Sequence, residues 1–268
     1  MMHSAPGLAS AMPALSSLSR TTDLFLPRGA KPAPRPPRPA FKMRRYDVQW
    51  LGADGQIACE NRTAPALPEF EEAFSALARG TVIDTTEGPV AIEDLMPDMR
   101  VVTGEGRIET VTWIGSMTLF PPNMIPGIAS CAMTRITADA FGGGKPMPDI
   151  LLGPDARLLM RNARTRAAGH SAAYCPARGL IDGLSVIEVT PVAPVTVYNV
   201  ILENHGSLRC AGIEVESFHP GKNPSERFDP QLGQLFLALF PQINGWGGFG
   251  PMAHARLSEE EAADLIAA

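Results

Sequence analysis

From residue 80 to about residue 220 the chain is cut into short runs of Val, Ile and Thr, each closed by a Gly, Pro or Asp turn. The runs fall at 81–83, 90–92, 100–103, 110–114, 185–189, 195–201, 208–211 and 213–215, with Gly88-Pro89, Gly104-Glu105-Gly106 and Ala211-Gly212 among the breaks. Runs this short cannot supply the roughly ten or more residues of an amphipathic helix, whereas β-branched side chains suit a pleated, half-buried surface. The pattern predicts a mainly β chain built on an antiparallel domain, barrel-like or sandwich-like. With 45% hydrophobic but only 6% aromatic residues, aliphatic side chains must form most of its core.

The flanks read differently. Residues 1–40 are rich in Ala, Ser and Pro and end in Lys31-Pro32-Ala33-Pro34-Arg35-Pro36-Pro37-Arg38-Pro39. Repeated proline removes donors and favours extended backbone, so a disordered leader is predicted. Residues 41–75 should hold a hairpin turning at Ala53-Asp54-Gly55, followed by a helix over 68–78 with Phe70, Phe74 and Leu77 on one face and Gly80 at its end. Residues 221–268 should form a helical tail. It comprises an apolar helix at 231–240, a glycine-rich loop carrying Trp246 and Phe249, and a last helix reaching Ala268. Ser258 and Glu261 form a capping box for that helix, with Leu257 and Ala262 at the staple positions.

The net charge of −5 conceals an asymmetry, +7 over residues 1–45 and −12 over the rest. The basic start reads as a solvated tail or as a contact for an acidic surface, and the acidic body argues against nucleic acid as a partner. The apolar run at 235–240 is far short of the roughly 20 residues of a membrane helix. Pro6 and Pro13 break the apolar start that a Sec signal would need. A location in the cytoplasm, or secretion by a non-Sec route, is expected. Cys59, Cys131, Cys175 and Cys210 form no CxxC pair and read as reduced, partly buried thiols, with Cys131 and Cys175 in loops. No metal and no cofactor is expected. His205, Cys210 and His219 match no zinc spacing, and Gly142-Gly143-Gly144-Lys145 lacks the spacing and the Ser or Thr of a P-loop. Nor does a Gly-x-Ser-x-Gly or HExxH pattern occur.

Three blocks, in order, resemble the Hint (hedgehog/intein-like) domain family, closest to its bacterial branch. The first runs Gly80-Thr81-Val82-Ile83-Asp84-Thr85 and on through Ile92-Glu93-Asp94-Leu95-Met96-Pro97-Asp98-Met99-Arg100-Val101-Val102. The second is Leu152-Gly153-Pro154-Asp155-Ala156-Arg157, similar to the family's Ser-Pro-Asp-His-Arg. The third is Tyr198-Asn199-Val200-Ile201-Leu202-Glu203-Asn204-His205, then Ala211-Gly212-Ile213-Glu214-Val215-Glu216-Ser217-Phe218-His219-Pro220-Gly221. The resemblance implies an antiparallel Hint fold over 76–220, preceded by the 1–40 leader and the 41–75 segment and followed by the 221–268 tail.

It also implies a chemistry, the N-to-S or N-to-O acyl shift. A Cys or Ser attacks the carbonyl of its own preceding peptide bond, a His protonates the scissile amide nitrogen, and donors hold the oxyanion. Counting back from Gly80 puts the family's Cys at Ala76, and the middle-block His falls at Ala156. Gly153 replaces the usual Ser or Thr, Pro97-Asp98-Met99 replaces Pro-Gly-Asp, and Glu216-Ser217 replaces the intein ending His-Asn, so asparagine cyclisation is not expected. His205 persists, either as a group exchanging protons near pH 7 or as a brace bonding a backbone carbonyl. Asp155 reads as an acid or as a turn and ion-pair residue beside Arg157, Thr81 as a site hydroxyl or a strand residue, and Cys210 as a packed thiol.

Two functions follow. One is a catalytically silent module, with vestigial positions Ala76 and Ala156, that binds or scaffolds a protein partner. The other is autoproteolysis through a non-standard nucleophile, for which Ser75 stands nearest. Its place inside the expected helix opposes the shift. The contact surfaces suggested for a partner are the basic leader, the Gly143-Gly144-Lys145 loop and the Trp246/Phe249 loop. Neither the partner's identity nor the oligomeric state is legible.

Overall fold

The computed structural model describes residues 41–122, 124 and 131–264. The leader at 1–40 and the end of the last expected helix at 265–268 lie outside the described residues. The described chain is mainly β, with sixteen strands. A hairpin of β1 (Met43–Leu51) and β2 (Ile57–Pro65) comes first. Then follow β3 (Leu77–Ala78), β4 (Val82–Thr85), β5 (Gly88–Ala91), β6 (Arg100–Val102) and β7 (Ile108–Leu119). The middle of the chain supplies β8 (Met133–Ile136), β9 (Ile150–Leu152), β10 (Arg157–Met160) and β11 (Ala173–Pro176). The closing part holds β12 (Val186–Val189), β13 (Val195–Leu202), β14 (Ser207–Cys210), β15 (Ile213–Glu216) and β16 (Ala255–Arg256). Pairing is antiparallel throughout except between β11 and β16. Helices are short: α1 (Pro68–Glu71), α2 (Ala163–Ala167), α3 (Pro224–Arg227), α4 (Pro230–Leu237) and α5 (Glu259–Asp264). None among the described residues is long and apolar enough to cross a membrane.

Strand β7 organises the rest. It pairs with β1, β6 and β13, so it joins the hairpin to the domain proper. Behind it lies an aliphatic core built from Leu77, Ile83, Ile92, Val101, Val111, Leu152, Leu158, Val200, Leu208 and Val215, with Ala76 and Ala156 packed among them. On the other side the two flanks close a second core of rings: Tyr46, Phe70, Phe74, Phe218, Phe236, Phe240 and Phe249 around Trp113 of β7. Trp113 donates its indole N–H to the Leu239 carbonyl at 2.9 Å. Phe74 lies over Gly115, where an added Cβ would come within 2.6 Å of its ring, so the tight seating of that ring requires glycine.

The helix expected over 68–78 is shorter. It runs as α1, tightens to a 3₁₀ turn over Glu72–Phe74 and stops. Phe70 and Phe74 keep their shared face, but Leu77 becomes a strand residue opposite Tyr198 and Leu152. Tertiary pairing overrides the helical spacing there. Six strands went unforeseen: β3 and β16, where helix was expected, and β8, β9, β10 and β11. Cys175 therefore sits buried in β11 and not in a loop, and burial lifts its thiol to about 11. All four cysteines are free, Cys59 being the exposed one. At the C-terminus Asp229 caps α4 by accepting from Gln231 and Leu232 N–H. The capping box forms, Ser258 N–H to Glu261 at 2.7 Å and Glu261 N–H to Ser258 Oγ at 3.1 Å.

Candidate functional site

The two ends of the domain meet on one strand. Ala76 N–H donates to the Tyr198 carbonyl at 3.0 Å and Phe218 N–H to the Val200 carbonyl at 2.7 Å. Those acceptors are two residues apart on β13, which sets them about 7 Å apart along the strand. Chain entry and chain exit thus lie side by side.

At the entry, Ser75 and Ala76 rest against the turn that leads into β10. The Ala76 carbonyl accepts from Gly153 N–H at 2.8 Å, and the Ser75 carbonyl accepts from Asp155 N–H at 3.1 Å. The turn closes with Ala156 N–H to the Gly153 carbonyl at 3.3 Å. A Cβ on Gly153 would stand 2.2 Å from the Ser75 oxygen, so the Ser or Thr of the family pattern cannot enter this geometry unchanged. The side chains of Ala76 and Ala156 are 2% and 1% exposed and belong to the aliphatic core. Ser75, beyond the end of the 3₁₀ turn, is fully buried and donates its hydroxyl to Asp155 at 2.5 Å. Burial pushes the Asp155 carboxyl up; the Ser75 hydroxyl opposes that, and nearby Glu72 adds to it.

At the exit, His205 is buried between β13 and β14. Its Nδ1 accepts from Ala253 N–H at 3.0 Å, which puts the neutral ring's proton on Nε2. Nε2 faces the Ser217 carbonyl at 3.1 Å and Glu216 at 3.4 Å. His219 repeats the arrangement: Nδ1 accepts from Gly221 N–H and Nε2 donates to the Gly250 carbonyl at 3.0 Å. Burial, with His205 and Arg256 nearby, pulls its pKa down to about 4, so it is neutral at pH 7.

A network of ion pairs that sequence reasoning missed spans the two ends. Glu72, just before the entry, receives Arg157 of β10 at 3.1 Å, Arg227 of α3 at 3.0 Å and Arg256 of β16 at 3.7 Å. Arg256 also holds Glu216 at 2.9 Å and donates to the His219 carbonyl at 2.6 Å. Burial alone would raise the carboxyls of Glu72 and Glu216, but the arginines outweigh it and hold both below the usual range. Glu72 and Arg256 carry no local pattern that marks them, because their partners stand far away in sequence. Glu216 did leave a trace, as a charge in the strand position where the family has histidine.

The expected site residues therefore divide. Ala76, Ala156 and Asp155 share one turn with Ser75, and ion pairs run from His205 through Glu216, Arg256 and Glu72 to Arg157, the residue after Ala156. Thr81 stands apart, its backbone bonding Ala78 and Ile92 in the turn into β4. Asp98 takes the family's glycine position with φ 75°, in the left-handed region. Cys210 is buried in the aliphatic core with its thiol directed to the Leu208 carbonyl, away from any shared cluster with His205 and His219. Among the described residues, no group of three His, Cys, Asp or Glu could hold a metal ion. The rings of Trp246 and Phe249 are used internally, Trp246 stacking on Phe228 and Phe236, and Phe249 packing edge-on against Phe240.

Comparison with curated proteins returns no match. Among solved structures, the chain is similar to a bacterial intein-like domain from Clostridium thermocellum at 16% identity and a TM-score of 0.37, over 54% of this chain and 99% of that one. It is also similar to the TvoVMA intein, at 12% identity and 0.36, over 53% of this chain and 96% of that one. A substituted form of the gp41-1 intein gives 11% and 0.31, over 54% and 99%. The family model of the Hint domain matches residues 75–222, more than half of the chain, and by that match the protein belongs to the Hint domain family.

Proposed function

We propose that this chain is a catalytically silent Hint module whose junction has become a structural clasp and which serves as a binding or scaffold unit for another protein. One observation carries the reading: at the nucleophile and histidine positions stand the methyl groups of Ala76 and Ala156, sealed in the aliphatic core. A methyl group neither attacks a carbonyl nor donates a proton. The clasp supports the same reading, because Glu72 and Arg256 tie the segments on either side of the junction to one another. Such ties favour retention of both flanks over their release. Intact-mass measurement of the purified chain, with and without hydroxylamine or dithiothreitol, should return the full-length mass in every condition.

A second reading rests on the Ser75–Asp155 pair. Here Ser75 Oγ attacks the Phe74 carbonyl carbon as Asp155 takes the hydroxyl proton. The Phe74–Ser75 amide bond breaks, an ester forms, and the proton passes on to the freed Ser75 amine. The raised Asp155 carboxyl and the 2.5 Å contact favour it. A hydroxylamine-dependent product ending at Phe74, absent in Ser75→Ala, would replace the first reading with this one.

A further inference from the structure

We infer that the chain associates with a second copy of itself through the edge of β2 that no described residue pairs, in antiparallel register centred on Asn61. Among the described residues β2 pairs with β1 alone, and five of its nine residues are exposed. The hydrogen bonds at the two ends of the hairpin fix its phase. Ala66 N–H donates to the Lys42 carbonyl, and Gly52 N–H to the Gln56 carbonyl. With the register Met43↔Pro65 to Leu51↔Ile57, the even-numbered residues of β2 bond inward to β1. Ile57, Cys59, Asn61 and Thr63 therefore direct their N–H and C=O outward.

That outward row fits its own copy. With Asn61 opposite Asn61 of the second copy, Cys59 faces Thr63, and each of these positions exchanges both backbone hydrogen bonds. Glu60 then lies opposite the second copy's Arg62, and Arg62 opposite its Glu60. Both fall at non-hydrogen-bonded positions, where facing side chains come closest. Within one chain Glu60 and Arg62 already pair at 2.6 Å and Arg62 also donates to the Ala238 carbonyl, so the two-fold sets two such charge pairs head to tail. Pro65, which has no N–H to offer, sits at the rim of the register, where its cost is least. The two-fold arrangement makes the contact isologous and closed, so it ends at a dimer. It is independent of whether the Ser75 junction reacts.

The test uses charge reversal on the full chain. Sedimentation equilibrium from 1 to 100 µM should show a monomer–dimer equilibrium for the wild type. E60R puts two facing arginine pairs in the contact and should weaken the dimer at least tenfold; R62E does the same with glutamates. An equimolar mixture of the two restores opposite charges at both positions, and native mass spectrometry should find the mixed dimer in excess of either parent dimer. Because Arg62 also braces Ala238, Asn61→Pro provides a second test. It removes the central outward N–H without touching the inward ladder to β1, and should weaken association while circular dichroism stays native. A wild type that is monomeric at 100 µM, an unaffected E60R or Asn61→Pro dimer, or a mixture of folded variants that forms no mixed dimer would overturn the inference.

Discussion

The two large cores among the described residues differ in make. The aliphatic one is drawn almost wholly from the Hint domain, with Leu257 and Ala262 of the tail added, and has no fully buried aromatic ring, whereas the other gathers rings from both flanks around Trp113 and Phe218 of the domain. The first arises from strands whose inward residues alternate locally; the second arises only when residues 46, 70, 74, 113, 218, 236, 240 and 249 meet. The contrast teaches which packing each part can make alone. The domain packs mainly on its own strands, while the flanks pack on one another only around Trp113 and Phe218 of the domain.

That contrast can be broken at several points, and the largest effects should come from its two junctions. Phe74 packs on Tyr46 at 4.4 Å and on Trp113 at 5.3 Å, so Phe74→Ala should cost about 3–5 kcal/mol. All three tryptophans lie in or against the aromatic core, so their fluorescence reports that core while far-UV circular dichroism reports the strands. Coincident urea transitions in wild type and variant are expected. An early fluorescence transition would mean that the two cores unfold as separate units.

Glu72→Gln leaves the three arginines around it without their shared carboxylate and should cost about 3 kcal/mol. Its pH dependence has a definite sign. Glu72 and Glu216 are held below their usual range, so the stability they contribute is present above the unfolded value of about 4.3 and is lost as pH falls through their lower folded values. The melting temperature should drop between about pH 5 and pH 3, and less steeply in Glu72→Gln. Equal slopes would remove Glu72 from the account.

Restoring the family residue is a milder perturbation. Gly153→Ser drives a Cβ toward the Ser75 carbonyl and should cost about 1–3 kcal/mol by chemical denaturation. A neutral result would mean that the junction backbone yields, and would reopen the reactive reading. The smallest effect concerns the domain alone. Ala211 turns the β14–β15 hairpin with φ 49°, where a Cβ is strained, so Ala211→Gly should stabilise by about 0.5–1 kcal/mol. Both probes should register that gain together if the cores are coupled.

How much of this could be read from the sequence follows the same division. The hairpin, β13 to β15 and the Ser258–Glu261 cap were legible because alternation, turn chemistry and capping are local. Strands β8 to β11 were hidden among Pro, Gly and Arg, which local propensity assigns to loops. The helix at 68–78 was overextended because Leu77 has helical spacing from Phe70 and Phe74, and only pairing with Tyr198 and Leu152 decides otherwise. Of the candidate site, motif order singled out Ala76, Ala156 and His205, and the structure sets the first two at one turn. The Ser75–Asp155 bond and the Glu72 clasp were not, since neither contact leaves a mark within one segment.

Entry and exit on β13 have a further consequence. Viewed from the flanks, the whole domain is an insertion: the chain departs at Ala76 and returns at Phe218 about one strand-step away, as if a host protein had been interrupted and rejoined. Loop closure at so short a span places little strain on the host, however long the guest. The two are packed together all the same: Trp113 of the guest stands in the middle of the host's interior, and its indole N–H ties down the Leu239 carbonyl just after α4.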